Sequence, residues 1–464
     1  MKENLLTLLR KAGHPVPSPC GGNGKCGKCA VLIDGNPFLA CKTDIRLPMG
    51  DTPPEILSHY AWKRPPVCER GEGYGIAVDI GTTTLAFELF DLARGTRLGD
   101  FSMANSQRAL GFDVITRISH ATQGAARRLH TYIIEDIRHG VAHILALAGV
   151  DASAVRHMAL AGNTTMLHLF HDLPCHSLGV YPFTPVDIGS RLTRLDTLPG
   201  CEVLTLPGIS TFVGADIVAG ILCLGGLDSG ETRLLIDLGT NGEMALMRGG
   251  KVWVTSTAAG PAFEAANISQ GMGSVAGAVS RVAYDGAHFN YTTLGDAPPV
   301  GICGTGVVDA TAELVRHGLM DETGRLSGAE KRVEIAPGVY FTQQDIREVQ
   351  LAKSAVRSGL DILLAHAGCT PGEIDRVYLA GGFGHRLRPE SADALGLFPP
   401  GLTGKIEAVG NTSLGGAALA LLSASFATEM EAIIANASEL LLSSHPSFNE
   451  LFMEHMLFPE RMEV

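Results

Sequence analysis

The sequence predicts an α/β protein in which a small cysteine-rich domain precedes a larger unit made of two similar halves. Four cysteines fall within residues 20–41. A short apolar strand that runs into Asp-x-Gly-Thr occurs twice, and each copy is followed by a strand that ends in a turn of small residues before a helix. Strands and helices that alternate in this way are typical of α/β folds.

The predicted boundaries divide the chain into five segments. They are a cysteine-rich domain at 1–43, a proline-rich linker at 44–74, two α/β halves at 75–230 and 231–425, and a tail at 426–464. The tail is predicted to be helical because its Leu and Met residues recur at helical spacing.

The composition limits the classes of function. Of the 464 residues, 45% are hydrophobic and 18% are charged, which is typical of a globular protein with a large core. The net charge is −12 and no basic run occurs, so we expect no nucleic-acid partner. No apolar stretch reaches the roughly 18 residues of a membrane span, and the N-terminus lacks the features of a secretory signal. We therefore expect a cytoplasmic protein with no membrane partner.

The cysteine cluster has the spacing of a metal site. Cys20, Cys26, Cys29 and Cys41 are separated by five, two and eleven residues. A structural zinc site usually combines two close pairs of ligands, whereas the cluster has one such pair. An iron–sulfur loop of the plant type combines three close cysteines with a distant fourth, and the many glycines between these cysteines let the backbone wrap closely. We favour an iron–sulfur cluster, with zinc, or no metal, as the alternatives.

This stretch resembles the [2Fe–2S] domain of the β-grasp ferredoxin type. The resemblance implies that the four cysteines hold two irons, and the sequence AVLIDG after them predicts a strand at Ala30–Ile33. The N-terminal sequence MKENLLTLLRKAG predicts a short amphipathic helix with Leu5, Leu8 and Leu9 on one face. Domains of this type usually begin with a β-hairpin, and only about four residues precede the predicted helix here. The β-grasp-like domain is therefore either shortened or completed by strands from another segment.

The linker has two interpretations. Its prolines predict an extended, semi-rigid chain, which would suit a tether that lets an electron carrier move between partners. The alternative is a connector that lies on the protein surface, with Trp62 as its anchor.

The first Asp-x-Gly-Thr copy reads GIAVDIGTTTLAFELFD and predicts a β-hairpin. Its turn places the backbone N–H groups and hydroxyls of Gly81, Thr82 and Thr83 where they can hold phosphate. Asp79, at the end of the strand, could position Mg²⁺ through water.

The second copy reads LLIDLGTNGEMAL, with Asp237 placed 158 residues after Asp79. Gly239, Thr240 and Asn241 form its predicted phosphate turn. A repeat of this length indicates a duplicated subdomain rather than a solenoid. Glu243 is a candidate catalytic carboxylate, as is Glu264, and the sequence does not choose between them.

The strands that follow each hairpin end in turns of small residues. HMALAGNTTMLHLF lies in the first half and RVYLAGGFGHRL in the second, with Gly381, Gly382 and Gly384 in the turn. Helices that begin at such turns favour anionic ligands at their N-termini.

Together these motifs resemble the superfamily of acetate and sugar kinases, heat-shock chaperones and actin. The resemblance implies two ribonuclease-H-like (actin-like) ATPase domains that enclose ATP and Mg²⁺. It assigns phosphate binding to the two hairpin turns, Mg²⁺ to Asp79 and Asp237, and the adenosine border to Gly381, Gly382 and Gly384.

With the cysteine cluster and the later segments GICGTGVVDATAEL and GNTSLGGAALAL, the chain resembles the ATP-dependent reductive activators of corrinoid proteins. This implies delivery of an electron that returns cob(II)amide to cob(I)amide in a corrinoid protein of a methyltransferase system, with an upstream electron donor and, by superfamily analogy, a homodimer. The alternatives are an electron donor to another low-potential enzyme, such as a dehydratase, and a small-molecule kinase with a structural metal site.

Overall fold

A computed structural model describes residues 3–6, 30–33, 36–40, 44–45, 60–64, 66–227, 229–381 and 387–459. In the N-terminal part, β1 (Glu3–Asn4) pairs antiparallel with β4 (Asp44–Ile45), and β2 (Ala30–Ile33) pairs antiparallel with β3 (Asn36–Leu39). The strand predicted at Ala30–Ile33 is confirmed. The four clustered cysteines lie outside the described residues.

The first half is built on a six-stranded sheet in the order β7-β6-β5-β8-β10-β9. Its strands are β5 (Tyr74–Ile80), β6 (Thr84–Asp91), β7 (Thr96–Ala104), β8 (Val155–Gly162), β9 (Arg191–Thr193) and β10 (Glu202–Thr205). β5, β6 and β7 form an antiparallel meander, β8 runs parallel to β5, and β10 runs parallel to β8. The apolar residues of β5 are buried in the core of this half, so the first predicted hairpin is confirmed.

The second half has a six-stranded sheet in the order β20-β19-β11-β12-β13-β21. Its strands are β11 (Arg233–Leu238), β12 (Gly242–Arg248), β13 (Lys251–Thr257), β19 (Arg376–Ala380), β20 (Ile406–Gly410) and β21 (Ala437–Glu439). β11 to β13 form a meander, and β19 and β20 extend the sheet in parallel. Order and direction match those of β5, β6, β7, β8 and β10 in the first sheet.

Two smaller sheets accompany the second half. Their strands are β14 (Ala278–Tyr284), β15 (Phe289–Thr293), β16 (Gly301–Ile302), β17 (Arg332–Ala336) and β18 (Val339–Thr342). A second large group of buried apolar residues forms the core of this half.

Helices pack around both large sheets. They are α1 (Val114–His120), α2 (Ala126–Ala148), α3 (Thr164–Phe170), α4 (Ala215–Cys223), α5 (Gly304–Arg316), α6 (Gln343–His366), α7 (Pro389–Ala394), α8 (Thr412–Leu422), α9 (Phe426–Ala435) and α10 (Phe448–His455). A capping box of Thr342 and Asp345 begins α6, and Gly149 ends α2 in the left-handed conformation. None of the helices in the described ranges is long and apolar enough to span a membrane.

The two halves meet where α4 of the first packs against α8 of the second. Glycine makes the close approach possible, because a Cβ atom on Gly416 would lie 2.0 Å from the carbonyl oxygen of Ala219. A Cβ atom on Gly220 would lie 3.0 Å from Thr412 Oγ1. The apolar residues of both helices belong to the core that surrounds the first sheet, so the junction is part of a continuous interior.

The described end of the linker lies on the protein surface and is not a free tether. We call residues 60–64 the strap. Tyr60 forms a bridge with Gly410, and the Nε1 of Trp62 donates a hydrogen bond to the carbonyl oxygen of Gly415 at 2.9 Å. The hydroxyl of Tyr60 also donates to the fully buried Glu88. The surface connector is therefore the correct interpretation for these residues, and Trp62 is an anchor.

The sequence predicted a helical tail, and this prediction is wrong in part, because Ala437–Glu439 form a strand. Between α9 and α10, β21 adds to the second sheet parallel to β13. A side chain of α6 holds the end of α10. The buried Lys353 donates from Nζ to the carbonyl oxygens of His455 and Leu457, at 2.6 Å each. A three-residue strand gives too short a pattern to separate from the surrounding helical spacing.

Candidate functional site

The turn between β5 and β6 is held by hydrogen bonds within the loop and from outside it. The backbone N–H of Gly81 donates to the carbonyl oxygen of Thr84 at 3.1 Å, and a Cβ atom on Gly81 would lie 2.6 Å from that oxygen. Asn105 donates from Nδ2 to the carbonyl oxygen of Gly81 at 2.9 Å, and Asn163 donates from Nδ2 to Thr82 Oγ1 at 2.9 Å. The predicted phosphate turn is thus held from two neighbouring elements before any ligand arrives.

The turn between β11 and β12 is the corresponding loop of the second half. Asp237 and Glu243 face each other as partners in the register of this hairpin. The backbone N–H of Gly239 donates to the carbonyl oxygen of Asn241 at 2.9 Å, and Thr240 Oγ1 donates to Glu264 Oε2 at 3.3 Å. Both candidate carboxylates, Glu243 and Glu264, therefore lie beside this turn.

Asp79 belongs to the first half but is held by the second. Asn411 donates from Nδ2 to Asp79 Oδ2, and Ser413 donates from Oγ to Asp79 Oδ1, both at 2.8 Å. Burial raises the pKa of Asp79, while these two hydrogen bonds oppose the rise because they stabilise the carboxylate. The hydrogen bonds fix both carboxylate oxygens in one orientation.

A carboxylate that the sequence analysis missed, Asp216, joins this group from the first turn of α4. Burial and the charge of Asp79 raise the pKa of Asp216 to about 7, and burial together with the charges of Asp216 and Asp79 raises that of Asp237 to about 7. The pKa of the buried Glu243 is raised well above its usual range by burial and by the charges of Asp216 and Asp237. An acidic residue two positions after Gly214, at the start of the apolar segment ADIVAGILC, was the available signal.

These four carboxylates, Asp79, Asp216, Asp237 and Glu243, are called the acidic cluster. The negative charges of these carboxylates repel one another, and a bound cation would reduce that repulsion. Their oxygen atoms are the kind of ligand that Mg²⁺ takes. Within the described ranges, no three His, Cys, Asp or Glu side chains are arranged to hold a metal ion directly. Mg²⁺ usually keeps several waters and binds through one or two carboxylates and the phosphates of a nucleotide.

The adenosine loop predicted from the sequence is only partly described. Gly381 has a φ of +89°, and a Cβ atom there would lie 2.7 Å from Asp237 Oδ1 and 2.6 Å from the carbonyl oxygen of Leu238. A side chain at position 381 would therefore clash with the end of β11, which glycine avoids. Gly382 and Gly384 lie outside the described residues.

A cavity of about 310 Å³ opens beside the two loops. Asn163 and Asn241 contribute to its lining, and most of its walls are apolar and come from both halves. Glu439 is the acidic side chain among the described residues that line it, and its Oε1 accepts a hydrogen bond from Ser210 Oγ at 2.6 Å. This carboxylate is therefore already engaged within the protein.

Comparison with known proteins identifies the relatives of this chain. Residues 74–228 match the family described as the RACo middle region, and residues 231–464 match the C-terminal domain of RACo, the ASKHA domain. The corrinoid activation enzyme RamQ of Eubacterium limosum is 32% identical over 424 residues, which are 84% of this chain and 71% of RamQ. A reductase of a methylated amine-specific Co(II) corrinoid protein from Methanosarcina barkeri is 28% identical over 418 residues, covering 82% and 76% of the two chains.

A solved structure agrees with these relatives. The structure of a reductive activator for corrinoid, iron–sulfur protein superposes with a TM-score of 0.77 at 33% identity, over 84% of this chain and 67% of the other. The resemblance drawn from the sequence motifs is thereby confirmed. This chain belongs to the RACo family of ATP-dependent corrinoid reductive activators, and residues 231–464 carry the family's ASKHA domain.

Proposed function

We propose that this protein reactivates a corrinoid protein of a methyltransferase system by delivering one electron, which converts cob(II)amide to cob(I)amide, and that ATP binding in the cleft between the halves drives the delivery. The observation that carries the proposal is the acidic cluster, formed by both halves beside two hairpin turns, in a chain whose relatives are named corrinoid activators. The matching strand order of the two sheets supports the inferred duplication.

The nucleotide would be held by the chain's own loops. Gly81, Thr82 and Thr83 on one side, and Gly239, Thr240 and Asn241 on the other, offer backbone N–H groups and hydroxyls to phosphates. Asp79 and Asp237 would hold Mg²⁺ through water, and the ion supplies the charge that neutralises the phosphates. Gly381, Gly382 and Gly384 would border the adenosine, and Glu243 is our candidate for orienting the attacking water.

The electron would come from the N-terminal segment. Cys20, Cys26, Cys29 and Cys41 would hold a [2Fe–2S] cluster, which supplies a one-electron carrier and is itself reduced by an upstream donor. Plant-type clusters have potentials near −400 mV, and a gap of ~200 mV to a lower-potential acceptor would cost about 5 kcal/mol per electron. Nucleotide binding can overcome such a gap if it changes the relative affinity of this protein for the two states of its partner.

The two alternative functions, a small-molecule kinase and an electron donor to another enzyme, require different features of the site. A kinase needs a carboxylate that can orient or deprotonate an acceptor hydroxyl. Glu439 is the acidic residue among the described cavity residues. It accepts a hydrogen bond from Ser210 Oγ, and this engagement does not favour a role as the kinase carboxylate. A donor to a different low-potential enzyme would share the ATPase chemistry and differ only in the acceptor.

One experiment tests the proposal. The protein is purified without oxygen, its iron and sulfide are counted, and its reduced form is mixed with a cob(II)amide-containing corrinoid protein with and without Mg·ATP. We expect about two irons per chain and a cob(I)amide absorption spectrum that develops only with ATP. Cobalt reduction that is independent of ATP would refute it. A dehydratase as the acceptor in a parallel reaction tests the alternative, and size-exclusion chromatography with light scattering tests the proposed homodimer.

A further inference from the structure

The strap and the candidate nucleotide site share one structural element, the junction between β20 and α8. β20 ends at Gly410, and the next residues, Asn411 and Ser413, are the ones that hold both oxygens of Asp79. Asn411 also caps α8, since its side chain accepts from the N–H of Leu414 at 2.9 Å. Asp79 is therefore joined by direct hydrogen bonds to the residues that begin α8.

The strap is attached to the same junction. Tyr60 forms an antiparallel bridge with Gly410, and the N–H of Ala61 donates to the carbonyl oxygen of Val409 at 3.2 Å. The carbonyl oxygen of Gly410 also accepts from the N–H of Gly381 at 3.1 Å. Gly410 has a φ of +72°, a conformation that glycine adopts at no steric cost, so a larger residue at this crossing point would strain the backbone.

Further contacts extend the strap over the junction of the two halves. Trp62 donates to the carbonyl oxygen of Gly415 in α8, and the N–H of Lys63 donates to the carbonyl oxygen of Cys223 at the end of α4, at 3.1 Å. The guanidinium of Arg64 pairs with Glu429 of α9. The strap thus contacts the final helices of both halves, and any change in their crossing alters its contacts.

We propose that Asn411 and Ser413 are positioning residues that tie Asp79 to the strap, so that nucleotide binding at Asp79 changes how the strap is docked. Tyr60 follows Cys41 by only nineteen residues in the sequence. The inference deepens the proposed function and rests on it, because it supplies a route from the nucleotide to the segment that follows the predicted electron carrier in the sequence.

The chain offers a reporter for this route. It has two tryptophans, Trp62 in the strap and Trp253 in β13, so Trp253→Phe leaves emission from the strap alone. We expect Mg·ATP to change the intensity or wavelength of Trp62 emission, and to change the exchange rate of the amide hydrogens of Ala61 and Lys63 at least threefold. Ser413→Ala in the same background should abolish the response, whereas Ser413→Thr, which keeps the hydroxyl, should restore it. A purely structural role for Ser413 would not distinguish these two variants once both are folded.

Coupling is reciprocal, so the strap should also affect the nucleotide. Ala61→Pro removes the N–H that donates to Val409 and should weaken Mg·ATP binding at least fivefold, although residue 61 belongs to neither phosphate turn. Val67→Pro, at an exposed position in the same segment, is the matched control and should leave the affinity within twofold. Thermal melting of each variant separates a lost coupling from a lost fold.

The outcomes separate the inference from the proposed function. If the natural protein binds Mg·ATP but Trp62 emission, amide exchange and the effect of Ala61→Pro all show no coupling, the inference is wrong and the proposed function stands. If the natural protein does not bind Mg·ATP in calorimetry, both are wrong. Retained coupling in the Ser413→Ala variant would remove the positioning role from Ser413.

Discussion

The substitution Asp237→Asn tests the electrostatics of the acidic cluster directly. Burial, followed by the charges of Asp216 and Asp79, raises the pKa of Asp237 from 3.8 to about 7. Between these two values the folded protein holds a proton that the unfolded chain has released, so its free energy of unfolding falls as the pH rises through this range. Above about pH 7 the folded protein carries the full cost of the ionised carboxylate.

The size of this cost follows from the pKa difference. A difference of about three units corresponds to at most ~4 kcal/mol at ~1.4 kcal/mol per unit. Asp237 is partly exposed to the cleft, so water and salt screen its charge, and we expect about 2 kcal/mol. The amide of the variant keeps the shape without the charge. At pH 8 the variant should therefore melt about 4–8 °C above the natural protein, for a cooperative unit of 150–250 residues.

Melting followed by circular dichroism between pH 4.5 and pH 8.5, in the presence of a chelator, measures the effect. The difference between the two proteins should be smallest near pH 4.5 and grow towards pH 7, because it disappears fully only below the unfolded pKa of 3.8. Asp196→Asn, the same chemical change at an exposed position, should follow the natural profile throughout. Adding Mg·ATP should stabilise the natural protein more at pH 8 than at pH 5.5, and Asp237→Asn should lose most of that gain. Parallel profiles for the natural protein and Asp237→Asn would refute the electrostatic interpretation.

Three other predictions concern the helix junction, the tail and the cysteines. Gly416→Val places side-chain atoms against the carbonyl oxygen of Ala219, so the free energy of unfolding should fall by about 3 kcal/mol in a denaturant titration, and an unchanged midpoint would contradict the close packing. Lys353→Met removes two hydrogen bonds to the end of α10 and should cost about 2 kcal/mol. Because burial lowers the pKa of Lys353 to about 7, the unfolded chain binds more protons between pH 7 and pH 10, so this lysine should make stability rise with pH there, a rise that Lys353→Met should lack. Cys29→Ser should leave Mg·ATP binding unchanged and reduce iron from about two to below about half an atom per chain. Cys68→Ser, outside the cysteine cluster, should leave both Mg·ATP binding and the iron content unchanged.

The sequence predicted those parts of the site whose signal is local. Asp79 and Asp237 each end an apolar strand and precede a Gly-Thr turn, so residues adjacent in the chain define both the hairpin and its loop. The structure places both turns as predicted at the ends of β5 and β11. Whether these residues hold phosphate and Mg²⁺ stays a prediction.

The missed residues act through contacts that are distant in sequence. Asp216 looks like one acidic residue in an apolar helix until the fold places it near Asp79, 137 positions earlier in the chain. Asn411 and Ser413 reach Asp79 from more than 330 positions away. The docking of the strap depends on carbonyl oxygens of α8 that are available to any suitable donor, and no pattern of side chains marks them in advance.

The short strand β21 also has a consequence for how the chain must be handled. It covers the outer edge of β13, where backbone N–H and C=O groups would otherwise face solvent unpaired. An exposed strand edge is a template for pairing with other chains, and proteins commonly block such edges with a short strand or a covering segment. A chain cut at residue 425, where the sequence places the end of the second half, would keep both hairpin turns and lose this cover. We expect such a fragment to self-associate.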